Sequence, residues 1–61
     1  MNYIEDVKKY LDLDVKPEFL QLVNLILIHW GIDPKDYKGN EERYVIEAMD
    51  KAQNACRRYG Y

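Results

Sequence analysis

Residues 19–30 read FLQLVNLILIHW, and nine of these twelve side chains are large and apolar. The stretch is long enough for a core helix and too short to cross a bilayer. On a helix that turns about 100° per residue, most of the apolar side chains fall in one arc about 160° wide. This arc predicts an amphipathic α-helix with a broad buried side, made of Leu22, Ile26, Phe19, Trp30, Val23, Leu27 and Leu20.

The opposite side of this helix is also apolar. Leu25 and Ile28 fall there, with Gln21 between them and Ile32 beside them. We call these four residues the back strip; their i, i+4, i+7, i+11 spacing is typical of a helical contact surface. Because an exposed strip of this kind is adhesive, we expect it to pack against a second copy of the chain or a partner protein. The alternative is that the first helix or the loop containing Tyr37 folds over it.

The length favours self-association as well. Sixty-one residues predict a single domain near the lower size limit for independent folding, and its helical patterns make it all-α. Such a core rarely supplies more than roughly 3–5 kcal/mol, so small domains usually add a disulfide, a metal or oligomerisation. The single cysteine, Cys56, excludes an internal disulfide, and no His/Cys spacing resembles a zinc motif. Oligomerisation is the remaining way to stabilise so small a domain, so we expect a homo-oligomer.

Charge and composition set the expected surroundings of the protein. The net charge of −2 has the wrong sign for a general nucleic-acid binder. One cysteine, and no basic and apolar leader pattern in residues 1–6, indicate a cytoplasmic setting. We expect no cofactor, no metal and no membrane contact.

Capping residues predict where the helices begin and end. Asn2 suits the N-cap of a first helix, with Glu5 at the third helical position as in a capping box. Pro17 suits the first position of a second helix, and Gly31 should end that helix in the left-handed conformation. The expected fold is a small three-helix bundle with helices at about residues 2–13, 17–30 and 40–58.

The segment between the second and third helices is rich in turn residues. Asp33 and Pro34 stop the second helix, and one short helical turn after Asp33 fits the composition. Asn40 is a good N-cap for the third helix, and Gly60 follows its last turn.

The second and third helices carry side chains of complementary size, which predicts close packing between them. We expect Trp30, Ile26, Leu22 and Val23 to pack on Ala48, Ala52 and Val45, with Ile4, Val7 and Leu11 covering the cluster.

Few residues of the sequence suggest a catalytic role. His29 and Cys56 are the only pair that fits nucleophilic catalysis, and no nucleophile elbow or Gly-rich turn accompanies them. We therefore expect no enzymatic activity. Solvated surface is the better interpretation of the neighbouring carboxylates Asp12 with Asp14, and Glu47 with Asp50.

The C-terminal end combines basic and aromatic residues. Such residues can contact an acidic protein surface or nucleic acid, although cations at a helix end also offset the helix dipole. Tyr37, which lies between two lysines in an expected loop, is a further candidate contact. The candidates at the C-terminal end are Lys51, Arg57, Arg58, Tyr59 and Tyr61.

These observations favour a small helical protein–protein interaction module that binds and modulates a larger partner as a homodimer. The alternative is a small nucleic-acid-binding regulator that uses the basic end of the third helix. A helix-turn-helix is disfavoured, because the first connection leads into the most apolar helix rather than a basic recognition helix.

Overall fold

The computed structural model describes residues 2–11 and 14–59, and every regular element in those ranges is an α-helix. The all-α bundle predicted from the sequence is confirmed, and the expected short turn forms a separate small helix. The helices are α1 (Ile4–Tyr10), α2 (Pro17–Trp30), α3 (Pro34–Tyr37) and α4 (Glu41–Tyr59).

The first helix is shorter than predicted at both ends. The prediction of Asn2 as N-cap is wrong, because Tyr3 occupies that position. The Asn2 side-chain Oδ1, one residue earlier, still accepts a hydrogen bond from the Ile4 backbone N–H at 2.9 Å. The prediction that the helix continues to Leu13 is wrong, because Leu11 has an extended backbone (φ −101°, ψ 150°). Leu11 is buried in the core as its position beside Ile4 and Val7 on the helical pattern predicts, although it lies just beyond the end of the helix. Asp12 and Leu13 lie outside the described residues.

Both ends of α2 lie where the sequence predicts them. Pro17 occupies its first position, and Gly31 follows its end in the left-handed conformation, with φ of +58°. The short α3 also begins with a proline, and its N-cap, Asp33, accepts a hydrogen bond from the Lys35 backbone N–H at 2.8 Å.

At the start of α4, Asn40 holds the expected position before the helix, but its side chain does not make the expected capping hydrogen bond. Asn40 immediately precedes the helix, but its side-chain amide donates to the Asp36 carbonyl oxygen at 3.0 Å. The Glu41 carboxylate, at the first position of the helix, accepts a hydrogen bond from the Gly39 N–H at 3.0 Å, just before the helix begins. Hydrogen bonds from the backbone N–H groups of Glu41 and Gly39 lower the pKa of this carboxyl, because they stabilise its charged form.

The core lies between α2 and α4, and α1 packs against both. Val23, Val7 and Leu11 are buried as predicted, together with the α4 residues Val45, Ala48 and Ala52. Ile26, Leu22 and Trp30 pack against this buried cluster as expected, but their side chains are half-buried at its margin. Leu27 takes the central place. The reason is that α1 packs on the Asn24 side of α2, which shifts the buried centre of the broad arc toward that side.

Candidate functional site

The structure divides the back strip into an exposed part and a half-buried residue, Ile32. Leu25 is 60% exposed and Ile28 is 43% exposed, and Gln21 beside them is also exposed. Neither α1 nor the Tyr37 segment covers them. Ile32 does not belong to the exposed strip, because it follows the left-handed Gly31 and packs partly against the core. Helical spacing stops applying once the helix has ended.

An open groove lies between the start of α2 and the end of α4. Its apolar side chains are Val15, Phe19, Leu22, Leu25 and Cys56. Its polar side chains are Lys16, Glu18, Gln21, Gln53 and Arg57. A surface that combines exposed apolar side chains with polar ones is typical of protein–protein contacts. The groove brings together two groups of candidate residues that lie far apart in sequence. Gln21 and Leu25 come from the back strip, and Arg57 comes from the basic C-terminal end.

The local sequence explains why this groove stays open. The apolar arc of α2 is wider than the surface that α1 and α4 cover, since α1 packs on the Asn24 side. Ala48 and Ala52 bring α4 close to the middle of α2. Near its end α4 presents the modest side chains of Gln53 and Cys56, which leave the α2 residues opposite only half-covered.

The basic end of α4 is exposed, as its position predicts. Lys51, Arg57 and Arg58 are all exposed, and Tyr59 is 70% exposed. They border a shallow depression together with Asn54 and Ala55, and Arg57 lines both this depression and the groove. Tyr61, the remaining candidate of this group, and Gly60, the expected stop, lie outside the described residues.

Tyr37 is a core residue, so its placement as an exposed loop contact is wrong. It ends α3 and is only 4% exposed. Its ring packs edge-on against Tyr3 with centroids 5.0 Å apart, and stacks on Tyr44 at 6.0 Å. Because α3 has only four residues, its apolar side has no periodic pattern in the sequence.

The Tyr37 hydroxyl also ties α3 to α1. It donates a hydrogen bond to Asp6 Oδ2 at 2.7 Å. Burial of the phenol, helped by the hydrogen bond to Asp6 and the negative charge of that carboxylate, raises the pKa of Tyr37 above its ordinary range. This tyrosine therefore stays protonated at neutral pH and serves structure.

Two further residues have roles that the sequence did not reveal. Asn24, which interrupts the apolar run of α2, accepts a hydrogen bond through its Oδ1 from the Tyr3 backbone N–H at 2.7 Å, which fixes α1 on α2. Ile46 is 52% exposed on α4, although it is a large aliphatic residue. In the sequence, its exposure was indicated only by its position slightly off the apolar side of the third helix.

The residues considered for catalysis do not converge. Cys56 lies beside Phe19 at the start of α2, whereas His29 is near the end of that helix. Ten residues of helix separate these ends by about 15 Å. Among residues 2–11 and 14–59, no three His, Cys, Asp or Glu side chains are placed to share a metal ion. Within the same ranges, no helix is long and apolar enough to cross a membrane.

Compared with protein-family models, curated proteins and solved structures, the chain shows no match. Its function is therefore argued from the groove and the exposed side chains around it.

Proposed function

We propose that this protein is a helical protein–protein interaction module that works as a homodimer, of the kind that binds and modulates a larger protein. The observation that carries the proposal is the groove with the exposed Leu25 at its margin. In a two-fold dimer the same surface contributes twice, so each buried side chain counts twice. Full burial of one leucine stabilises by about 1.5–3 kcal/mol, and Leu25 is 60% exposed, so covering its two copies supplies roughly 2–4 kcal/mol of the about 8 kcal/mol that a micromolar affinity needs.

The mass of the protein in solution tests this proposal. Sedimentation equilibrium across the micromolar range should show a concentration-dependent dimer for the unaltered chain. Leu25→Glu should shift the mass to the monomer, because it places a charge in the apolar contact. Circular dichroism should show the helix content unchanged, because Leu25 is mostly exposed within one molecule.

Ile28→Glu is the matched control, since it makes the same chemical change on α2 at a side chain that does not line the groove. We expect it to remain dimeric. If both variants dissociate, the contact runs along the back strip instead of the groove. An unaltered chain that stays monomeric throughout, or a Leu25→Glu variant that stays dimeric, would contradict the proposal.

The second candidate function is nucleic-acid binding at the basic end of α4. It is supported by the exposed cations Lys51, Arg57 and Arg58 beside Tyr59, since cations contact phosphates and aromatic rings stack on bases. The acidic first turn of the same helix opposes it. Electrophoretic retention of DNA or RNA that weakens steeply with added salt would favour this function over self-association.

A further inference from the structure

The outer side of α4 carries a regular series of residues next to the groove. Its members are spaced alternately four and three residues apart, which is the spacing of a helix that packs along another helix. Ile46 is its large exposed aliphatic member, while Met49 and Cys56 are half-buried. The series is Glu42, Ile46, Met49, Gln53 and Cys56, with Arg57 beside its end.

This series is self-complementary when two α4 helices run antiparallel. A two-fold axis midway between Met49 and Asp50 places Glu42 of one helix opposite Arg57 of the other. The same axis places Ile46 opposite Gln53, because both lie equally far from the midpoint. Each pairing occurs twice in the dimer. Antiparallel packing also brings the acidic first turn of each α4 to the basic last turn of the other, and opposes the two helix dipoles.

The same register fills the groove. Gln53 is one of its walls, and Leu22 and Leu25 lie on the other. An isoleucine brought opposite Gln53 therefore meets the half-covered side chains of α2. This gives the exposed Ile46 an apolar partner, and it covers the half-buried and exposed aliphatic side chains of the groove.

The charges at the end of the groove agree with this register. Lys16 and Arg57 lie there with one carboxylate, Glu18, so cations outnumber anions two to one. Glu42 of the second copy would arrive beside Arg57. Within the described residues the only ion pair is Arg43 with Glu47 at 3.5 Å, so neither Glu42 nor Arg57 forms an ion pair with another residue of those ranges.

We propose that the groove of each molecule receives α4 of a second copy in antiparallel orientation, with Ile46 in the groove and Glu42 at Arg57. This inference rests on the proposed function and specifies the occupant and its register. The contact is symmetric and closes on itself, so it forms a dimer and not a filament.

Charge reversal tests the register. Glu42→Arg and Arg57→Glu should each weaken dimerisation about tenfold, because each loses two cross-dimer pairs and creates repulsion. The double variant Glu42→Arg with Arg57→Glu should recover most of the affinity by exchanging the two signs. Lys51→Glu makes the same charge change as Arg57→Glu outside the groove and the series, so it serves as the control and should have little effect. Dissociation constants come from sedimentation equilibrium at low salt, with helix content checked by circular dichroism.

Ile46→Glu tests the apolar part of the contact. It should abolish the dimer while leaving the monomer folded, since Ile46 is about half exposed. If the chain dimerises and Leu25→Glu dissociates it, but Ile46→Glu and the charge variants leave the affinity unchanged, the register is wrong and the proposed function survives. If the double variant is as weak as the sum of the single ones, the Glu42–Arg57 pairing is refuted. A chain that never dimerises overturns both.

Discussion

Two leucines on α2 separate the energetics of folding from those of association. Leu27 is fully buried, whereas Leu25 is 60% exposed, and they lie two residues apart on the same helix. Leu27→Ala removes buried carbons and leaves a cavity, so the free energy of unfolding should fall by about 2–5 kcal/mol. For a domain of this size, that loss is a large part of the total stability.

The corresponding change at Leu25 should cost the monomer far less. Full burial of a leucine stabilises by about 1.5–3 kcal/mol, and only about 40% of Leu25 is covered. Loss of the covered fraction therefore amounts to at most roughly 0.6–1.2 kcal/mol, and no closed cavity forms. Leu25→Ala should instead weaken the dimer, because association covers the remaining part.

Urea unfolding followed by circular dichroism measures the first effect, at a protein concentration at which the chain is monomeric. Sedimentation equilibrium measures the second. A Leu27→Ala variant that is unfolded in water agrees with the upper end of the expected range. Equal losses of unfolding free energy at Leu25 and Leu27 would refute the assigned orientation of α2, and so would a Leu27→Ala variant within about 0.5 kcal/mol of the original.

Three further predictions concern single residues. Gly31→Ala should lower the free energy of unfolding by about 1–2 kcal/mol in thermal or urea unfolding, because φ at this position is +58°. No atom lies within 4 Å of the added Cβ, so the cost is one of backbone conformation. Gly31→Asn should cost less, and an Ala variant more stable than the original would contradict this. The raised pKa of Tyr37 means that its protonated form stabilises the fold, fully below the unfolded value of 10.0 and progressively less as pH rises above it. Tyr37→Phe, which loses the hydrogen bond to Asp6, should therefore lower stability by about 1–3 kcal/mol at neutral pH and flatten this alkaline decline; an unchanged pH profile would argue against the assignment. Asn24→Ala should cost about 1 kcal/mol in the same assay by removing the acceptor of the Tyr3 N–H, whereas Asn24→Asp keeps an acceptor and should cost less; equal stability of Asn24→Ala and the original chain would exclude this role.

Features with local causes could be predicted from the sequence. The ends of α2 follow from Pro17 and Gly31, which act through their own backbone preferences. The exposure of Leu25 and Ile28 follows from helical periodicity, because the opposite arc of α2 is the more apolar one.

Features that depend on neighbouring helices could not be predicted. An apolar arc about 160° wide does not show which of its side chains will be fully buried. Whether Ile26 or Leu27 is the more buried depends on the side of α2 on which α1 packs. Tyr37 was misplaced because a four-residue helix has no readable period, and its burial depends on Tyr3 and Tyr44 from other parts of the chain. The groove likewise required the antiparallel placement of α2 and α4, which brings Arg57 to Leu25.

The central claim is that a second copy of the chain occupies the groove. The most direct test is an isotope-filtered nuclear Overhauser measurement on a mixture of labelled and unlabelled protein, which detects contacts between copies only. We expect cross-peaks from the Ile46 methyl groups of one copy to the methyl groups of Leu22 and Leu25 of the other. A dimer that shows contacts between copies at Ile28 and none from Ile46 to Leu22 or Leu25 would contradict it.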